Sequence, residues 1–452
     1  MSFPRYPEYK DSGVEWLGAV PGHWAVTPIK QLGKLKGGAG FPHAEQGLED
    51  EEITFHKVNA LARAGSDDVL VPSENSISRS TATQLGAYIF PPGSIVFAKV
   101  GAALLLGRIR MLGVEACIDN NMMGLNVFSS EHHVGFVKYA MSLVRFDLIS
   151  NPGAVPSLNE SQIGNFPLAV PPYQEQRSIS SFLDYETAKI DGLMAEQEKL
   201  IALLKEKRQA VIAHAVTKGL DPAVPLKDSG VEWLGEVPAH WHVMPIRLAA
   251  KLESGHTPSR SRPEYWDDCY IPWMTLADVW QIRRGKADYI YETKETVSDL
   301  GLANSSARLL PKGTVVLSRT ASVGFSAIMG VDMATTQDFA NWVCGDKLIP
   351  EFLLFVLRSM EGEFRRLMMG STHNTIYMPD IQAFRFVLPS LEEQRQIIEH
   401  CQRFSVEFDE LIDEAQRGID LLKERRTALI SAAVTGQIDV RGLIKDEQEQ
   451  AA

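Results

Sequence analysis

The chain contains the same sequence block twice. Lys10–Gly18 reads KDSGVEWLG, and Lys227–Gly235 reads KDSGVEWLG again. From Lys10 to Gly38, 19 of 29 positions are identical to their counterparts in the second copy, at one constant offset, which chance cannot produce. Each copy must build the same local structure, so the chain is expected to fold as two related halves.

A second block repeats at the far end of each half. Glu175-Gln176-Arg177 recurs as Glu393-Gln394-Arg395. At the same offset, LLKEKRQAVIAHAVT from Leu203 recurs as LLKERRTALISAAVT from Leu421. Each half therefore has matching ends and a centre that has diverged.

The diverged centres are typical of an α+β structure. Gly93–Ala98 and Gly313–Ser318 are short β-branched runs that follow a Pro/Gly turn, and the pattern predicts a strand in each. These two runs align with each other at nearly the same offset as the repeated blocks. The spacing of apolar residues in 136–148 and 351–369 predicts amphipathic helices.

The second repeated block predicts a long helix in each half. A heptad seam runs for four to five heptads through each copy, and it includes Leu193 and Leu200 in the first and Leu411 in the second. Pro171-Pro172 marks the first start, and Ser390 with Glu393 forms a capping box at the second. About 40 residues at 1.5 Å per residue give a rod of roughly 60 Å.

The predicted order is globular domain, long helix, globular domain, long helix. The predicted boundaries are 1–170 and 219–388 for the globular domains, 171–218 and 389–438 for the helices, and 439–452 for an acidic tail. Two helices with apolar seams are expected to bury those seams against each other, in either direction. If a pseudo-two-fold axis relates the halves, the helices form an antiparallel coiled coil.

Composition sets the class and the compartment. A chain of 452 residues is long enough for two to four domains. Its four cysteines form no C-x-x-C pair, and its longest uncharged apolar run, 100–107, is far too short to span a bilayer. We expect a cytoplasmic protein with no membrane segment. The net charge is −12, and half of it lies in residues 389–452.

The sequence contains no recognisable catalytic motif. It has no G-x-x-x-x-G-K-[S/T] phosphate loop, and Val170-Pro171-Pro172-Tyr173 lacks the Asn or Asp of an amino-methyltransferase loop. Glu292-Thr293-Lys294 has no upstream Pro-Asp, so a nuclease site is not supported. Two alternatives stay open: a self-sufficient nuclease or methyltransferase, and a scaffold or adaptor that binds only protein.

Cations cluster in both diverged centres and are the candidate recognition residues. Lys99 and Arg319 are aligned, and each follows a predicted strand, where recognition side chains often lie. The full set of candidates is Lys99, Arg108, Arg110, Arg260, Arg262, Arg283, Arg284 and Arg319.

In its organisation the chain resembles the specificity subunit of type I restriction–modification enzymes. Two variable domains alternate with two repeated helices that begin Pro-x-x-x-Glu-Gln-Arg, and the resemblance covers nearly the whole chain. It implies a non-catalytic subunit in which each globular domain reads one half of a bipartite, asymmetric DNA target. It further implies that the helices set the spacing between the halves and dock the methyltransferase subunits.

The resemblance also implies partners and cofactors. The partners are double-stranded DNA, two methyltransferase subunits, and the restriction/translocase subunits. With DNA as a partner, the clustered cations named above become the candidate DNA contacts. No cofactor is expected in this chain, because S-adenosylmethionine, ATP and Mg²⁺ would be bound by the partner subunits. The repeated positions are the candidate partner contacts: Trp16, Trp233, Glu175, Gln176, Arg177, Glu393, Gln394 and Arg395.

Overall fold

The structure is a computed structural model that describes residues 3–65, 68–283, 287–368 and 374–443. The chain divides into two compact units, Met1–Glu198 with Arg417–Ala452 and Lys199–Gln416. We call residues 3–170 the first head and residues 219–388 the second head. The predicted domains give each long helix a segment of its own, whereas the compact units divide both helices between them.

The first head is an α+β structure followed by a long helix. Its strands are β1 Tyr9–Asp11, β2 Ala19–Pro21, β3 Ala25–Pro28, β4 Gly33–Gly37, β5 Ile53–His56, β6 Val69–Leu70, β7 Ser76–Ile77, β8 Ile95–Ala98, β9 Arg110–Leu112, β10 Ala116–Ile118, β11 Met122–Val127 and β12 Pro167–Val170. Its helices are α1 Arg79–Gln84, α2 Ala102–Leu105, α3 Val134–Met141, α4 Phe146–Ile149 and α5 Glu160–Gly164. Helix α6, Tyr173–Lys218, comes next.

The second head follows the same plan. Its strands are β13 Leu226–Asp228, β14 Glu236–Pro238, β15 His242–Pro245, β16 Ala250–Ser254, β17 Ile271–Met274, β18 Tyr289–Ile290, β19 Glu295–Val297, β20 Val315–Ser318, β21 Ser326–Met329, β22 Ala334–Thr335, β23 Phe339–Cys344 and β24 Arg385–Leu388. Its helices are α7 Asp299–Ala303, α8 Pro350–Ser359, α9 Glu361–Leu367 and α10 Met378–Ala383. Helix α11, Leu391–Val434, is the last of these helices.

The strand order of the sheets is duplicated. In the first head the larger sheet runs β4-β11-β8-β9-β6, and the second head repeats it as β16-β23-β20-β21-β18. The three-stranded sheets β10-β5-β7 and β22-β17-β19 correspond in the same way. The two runs predicted as strands are β8 and β20, each in the middle of the larger sheet. The predicted α+β repeat is confirmed.

Two predicted amphipathic helices are each interrupted. Residues 136–148 lie in α3, α4 and the link between them, and residues 351–367 lie in α8, α9 and the residue between them. Residue 369, the predicted end of the second segment, lies outside the described residues. The breaks lie at Ser142 and Met360, without proline or glycine. The apolar spacing continues across both breaks, so periodicity alone predicted one helix where two short ones form.

Within each compact unit the two long helices run antiparallel, as predicted. In the first unit the Trp24 indole lies beside both Glu175, at the start of α6, and Gly436, just after the end of α11. Farther along α6, Asp191 pairs with Arg426 of α11 at 2.9 Å. The second unit repeats this arrangement with Trp241, which lies beside Gly219 and Glu393.

An interhelical ion pair is duplicated as well. Arg208 pairs with Asp409 in the second unit at 2.5 Å, as Asp191 pairs with Arg426 in the first. Asp409 is the counterpart of Asp191, and Arg426 is the counterpart of Arg208, at the offset that relates the two copies of the second block. The two pairs are therefore the same contact, formed once in each compact unit, and each pair joins α6 to α11.

The helices also pack against the heads. Ile179, Leu183 and Ile190 of α6 lie in the first head's core together with Leu429 and Ile430 of α11. Ile212, Ile397 and Cys401 do the same in the second head. Apolar burial of this kind, at roughly 25 cal/mol per Å², fixes each head to both helices.

Part of the predicted seam does not face the partner helix. Leu193, Leu200 and Leu411 are 53%, 43% and 48% exposed. The heptad prediction is wrong at these three positions, because their side chains stay exposed, whereas the seam positions Ile190, Phe408 and Ala415 are buried.

Candidate nucleic-acid interface

The loops after β8 and β20 share one backbone arrangement. The amide N–H of Lys99 donates to the carbonyl of Asn121 at 2.8 Å, and that of Arg319 donates to Asp338 at 2.8 Å. The carbonyl of Lys99 accepts from the amide of Leu158, and that of Arg319 accepts from Ile376. Lys99 and Arg319 therefore occupy equivalent positions at the end of a central strand.

The two side chains are held differently. The Arg319 guanidinium donates from Nε to the carbonyl of Gln337 at 2.9 Å and from Nη1 to that of Ile376 at 3.3 Å. Among the described residues these two bonds are the ones the guanidinium makes, which leaves three of its five donors for a ligand there. The half-buried Lys99 lies against Gly37, where an added Cβ would come within 2.9 Å of its Nζ. The same backbone arrangement thus presents a fixed, planar guanidinium (Arg319) in the second head and a single ammonium group (Lys99) in the first.

Four of the predicted DNA contacts have no carboxylate partner among the described residues: Lys99, Arg108, Arg283 and Arg319. Arg108 and Arg283 are exposed. Nη2 of Arg283 reaches Oγ of Ser322, in the loop that begins with Arg319, at 3.4 Å. These cations can neutralise phosphates without first breaking an ion pair.

Three other predicted contacts are already neutralised. Arg110 is only 18% exposed and pairs with Asp68 at 2.8 Å. Arg260 pairs with Glu295 at 2.6 Å and stacks 3.8 Å above Trp266. Arg262 pairs with Glu264 at 3.6 Å. The DNA contacts of these three arginines stay predictions, and each would compete with an existing ion pair. Arg284 lies outside the described residues.

The repeated Glu-Gln pair forms contacts within the chain. Glu175 accepts hydrogen bonds from Trp24 Nε1 at 3.1 Å and lies 2.8 Å from His23 Nε2. Glu393 makes the equivalent contacts with Trp241 and His240, at 3.0 and 2.7 Å. These contacts join the first repeated block to the second, so the sequence repeats because the structure of each unit requires it.

The glutamines complete this junction. Gln176 is 1% exposed; its Oε1 accepts from the amide of His133 and its Nε2 donates to the carbonyl of Pro171. Gln394 is fully buried and makes matching bonds to Ile349, Lys347 and Pro389. A partner could bind the side chains of Glu175, Gln176 and Gln394 only after these bonds were broken. These three residues and the bonded Glu393 therefore have a structural role within the chain, and their partner contact stays a prediction.

The remaining predicted partner contacts are at least partly accessible. Trp16 is 41% exposed and stacks on Phe166, with ring centroids 5.2 Å apart. Trp233 and Arg177 are half-buried. Arg395 is exposed and pairs with Glu392 one turn away, at 3.3 Å.

The junction in the second unit is expected to make stability depend on pH. Burial raises the pKa of Glu393, but hydrogen bonds from Trp241, His240 and Ser390 outweigh it and lower that pKa to about 2 from 4.5. The ionised carboxylate stabilises the fold fully above pH 4.5, and this contribution is lost as the pH falls toward 2. Glu393→Gln is expected to lower the free energy of unfolding by ~1–3 kcal/mol at pH 7.

Denaturant unfolding at several pH values measures this contribution. The difference between wild type and Glu393→Gln should shrink steadily between pH 4.5 and 2. A difference that stayed constant over this range would mean that the ionised carboxylate is not the stabilising form.

The described residues show neither a metal centre nor a membrane span. Throughout the part of the chain that the structure describes, no three His, Cys, Asp or Glu side chains are grouped to hold a metal ion. None of the described helices is long and apolar enough to cross a membrane.

Comparison with known proteins decides the family. The family described as "Type I restriction modification DNA specificity domain" matches this chain twice, over residues 21–202 and 238–417. The chain belongs to this type I DNA-specificity family. Each match contains most of one head and the first part of the long helix that follows it.

Similar proteins carry the corresponding names. The putative type I restriction enzyme MjaX specificity subunit of Methanocaldococcus jannaschii is 21% identical over 94% of this chain and 96% of its own length. The EcoKI specificity subunit of Escherichia coli K12 is 20% identical over 96% of this chain and 95% of its own. The MjaIX specificity subunit of M. jannaschii is 28% identical, but over only 42% of this chain and 43% of that protein.

A solved structure shares the fold. One chain from a structural study of complex assembly and conformational transition in a type I restriction–modification system superposes with a TM-score of 0.67. It is 16% identical, and the match covers 94% of this chain and 99% of the other. These comparisons confirm the interpretation as a non-catalytic specificity subunit and give no support to the scaffold alternative.

Proposed function

We propose that each head of this specificity-family chain reads one half of a bipartite, asymmetric DNA target. The observation that carries the proposal is the shared backbone frame around Lys99 and Arg319, which presents different side chains in the two heads. A duplicated frame with unlike reading surfaces suits a target of two unlike half-sites. The antiparallel helices fixed to the heads then set the spacing between the half-sites.

The repeated frame also suits two identical partners. Two methyltransferase subunits dock on this chain, and restriction/translocase subunits complete the assembly. Trp16, Trp233, Arg177 and Arg395 are the accessible repeated residues for that docking. S-adenosylmethionine, ATP and Mg²⁺ are bound by the partner subunits, and the assembly works in the cytoplasm.

The test is alanine substitution of the two strand-end cations in the assembled methyltransferase. Arg319→Ala is expected to reduce discrimination at one position of the second half-site by ~1–3 kcal/mol if the guanidinium reads a base. If the guanidinium contacts a phosphate instead, DNA affinity should fall equally for all sequences. The slope of log affinity against log salt concentration should then decrease in magnitude by about one. Lys99→Ala is expected to affect the first half-site in the same way.

Arg262→Ala is the matched control, since its cation is already paired with Glu264. Methylation rates on DNA carrying substitutions in each half-site, measured at several salt concentrations, separate base contact from phosphate contact. Equal and negligible effects of all three variants would contradict the proposed interface. Binding of the methyltransferase subunits without any DNA binding would favour the protein-only scaffold.

A further inference from the structure

The loop after the central strand is longer in the first head. It covers residues 99–109 between β8 and β9, whereas its counterpart between β20 and β21 covers residues 319–325. The four additional residues accommodate α2, which is followed by an exposed leucine. Leu105 and Leu106 are 53% and 60% exposed, although both are large apolar side chains.

The backbone holds this leucine pair in a fixed position. Leu104, the preceding residue, is 1% exposed in the core of the first head. Gly101 adopts φ 77° and donates to the carbonyl of Pro156 at 2.8 Å, and Gly107 adopts φ 59° and donates to Leu104. Both glycines occupy the left-handed region that other residues avoid. The exposed pair is thus anchored on both sides.

The second head carries a different exposed apolar group. Trp280 is 72% exposed, although Trp24, Trp241, Trp273 and Trp342 are each at most 2% exposed. Its short turn, Leu276–Gln281, corresponds to Val58–Ala62 of the first head, where Ala62 occupies the equivalent position.

The turn that carries Trp280 is anchored as firmly as the leucine loop. The fully buried Asp278 accepts from the backbone of Thr275 at 2.8 Å and of Lys294 at 2.7 Å. Val279 and Ile282, on either side of Trp280 and Gln281, are 1% and 2% exposed. The indole therefore projects from a rigid support.

Both apolar elements are close in sequence to cations that have no carboxylate partner among the described residues. Lys99 and Arg108 occur in the same loop as the leucine pair. Trp280 lies three residues before Arg283, which contacts the loop that begins with Arg319. Apolar side chains bordered by unpaired cations match DNA, where phosphates flank bases whose faces and methyl groups are apolar.

We propose that the Leu105–Leu106 pair and Trp280 are the base-contacting apolar elements of the first and second heads. The leucines pack against thymine methyl groups or against a base step, and the indole stacks on a base face. This assignment rests on the proposed reading function. It also explains why the heads read unlike half-sites, since the two elements differ in shape and are absent from the equivalent position of the other head.

The experiment uses the chain assembled with its methyltransferase subunits, and each head serves as the other's control. The probe is a library of duplex DNA with every position of the methylated target randomised. The variants are Leu105→Ala with Leu106→Ala, and Trp280→Ala. Val71→Ala and Tyr291→Ala are matched surface controls, because these side chains are 68% and 60% exposed. They follow β6 and β18, which run parallel to β9 and β21. Both controls therefore lie at the opposite end of the sheet from the loops that precede β9 and β21.

The leucine variant is expected to lose about tenfold discrimination at positions of the first half-site only, as one lost base-pair contact does. The tryptophan variant should lose a similar factor in the second half-site only. Both should leave the melting temperature and subunit assembly unchanged, as should the controls. Unchanged specificity in both variants, or impaired assembly with methyltransferase subunits, would overturn this assignment. If the wild-type assembly methylated no bipartite target, the proposed function itself would fail.

Discussion

Exchange of residues 242–388 for the same segment of a related chain is expected to change one half of the DNA target completely. The exchanged segment begins with β15 and ends with β24, so it contains the second head's larger sheet. It leaves His240, Trp241 and Glu393 in place, so their bonds at the junction persist. The first half-site and the spacing should be unchanged, because neither the first head nor the helices are altered.

Mapping of methylated sites for the parent and the exchanged chain measures this result. The donor backbone must still offer an amide and a carbonyl to Gln394, as Ile349 and Lys347 do here. Exchange between two relatives with the same second half-site is the control and should change nothing. If the exchange altered both half-sites together, the heads would form one composite reading surface.

Lengthening both helices by four residues is expected to shift the preferred spacing between the half-sites. An insertion after Glu198 lies between Asp191 and Arg208, the two residues of α6 that pair with α11. In α11 the matching insertion lies between Asp409 and Arg426, the two residues that pair with α6. Four residues add ~6 Å and rotate the distal part by ~40°, which corresponds to about two base pairs of longer spacer.

A single insertion provides the contrast. With four extra residues in α6 alone, both ion pairs cannot remain in register, so the chain should lose stability without gaining a defined new spacing. Thermal unfolding and site mapping of the single and matched insertions distinguish the two cases. If the matched insertion kept the original spacing, helix length would not determine the distance between the half-sites.

The duplicated fold could be predicted because the sequence itself is duplicated. The second repeated block predicted helices over 171–218 and 389–438, and α6 and α11 begin two residues later in each case. The capping box was also visible in sequence, and Ser390 and Glu393 bond to each other as it requires. Local periodicity and local capping determine such features, so one sequence suffices to find them.

Contacts between distant residues could not be predicted in this way. Arg110 carries the same charge as Arg108, and only its distance to Asp68 shows that it is neutralised. Glu175 looked like a surface residue at a helix start, yet it is bonded to His23 and Trp24, which lie at the far end of the first half of the sequence. The first and second repeated blocks recur at nearly the same offset, and this was the one sign in the sequence that the two blocks contact each other.

The exposed apolar groups were missed for a related reason. Leucines in the run Ala102–Leu106 and the tryptophan at position 280 look like core residues in sequence. Their exposure depends on how Gly101, Gly107 and Asp278 fix the surrounding turns. An apolar residue that the fold leaves exposed can be recognised only when the fold is known.

The most direct test of the central claim is to map methylated bases across the genome of cells that carry this chain with its methyltransferase partner. Two heads built on one frame but with unlike reading surfaces predict a single target with two different half-sites and a fixed, unspecified spacer. Cells that carry the Arg319→Ala variant should lose or relax the second half-site alone. A continuous target, a palindromic one, or methylation without any sequence preference would contradict the claim that each head reads its own half.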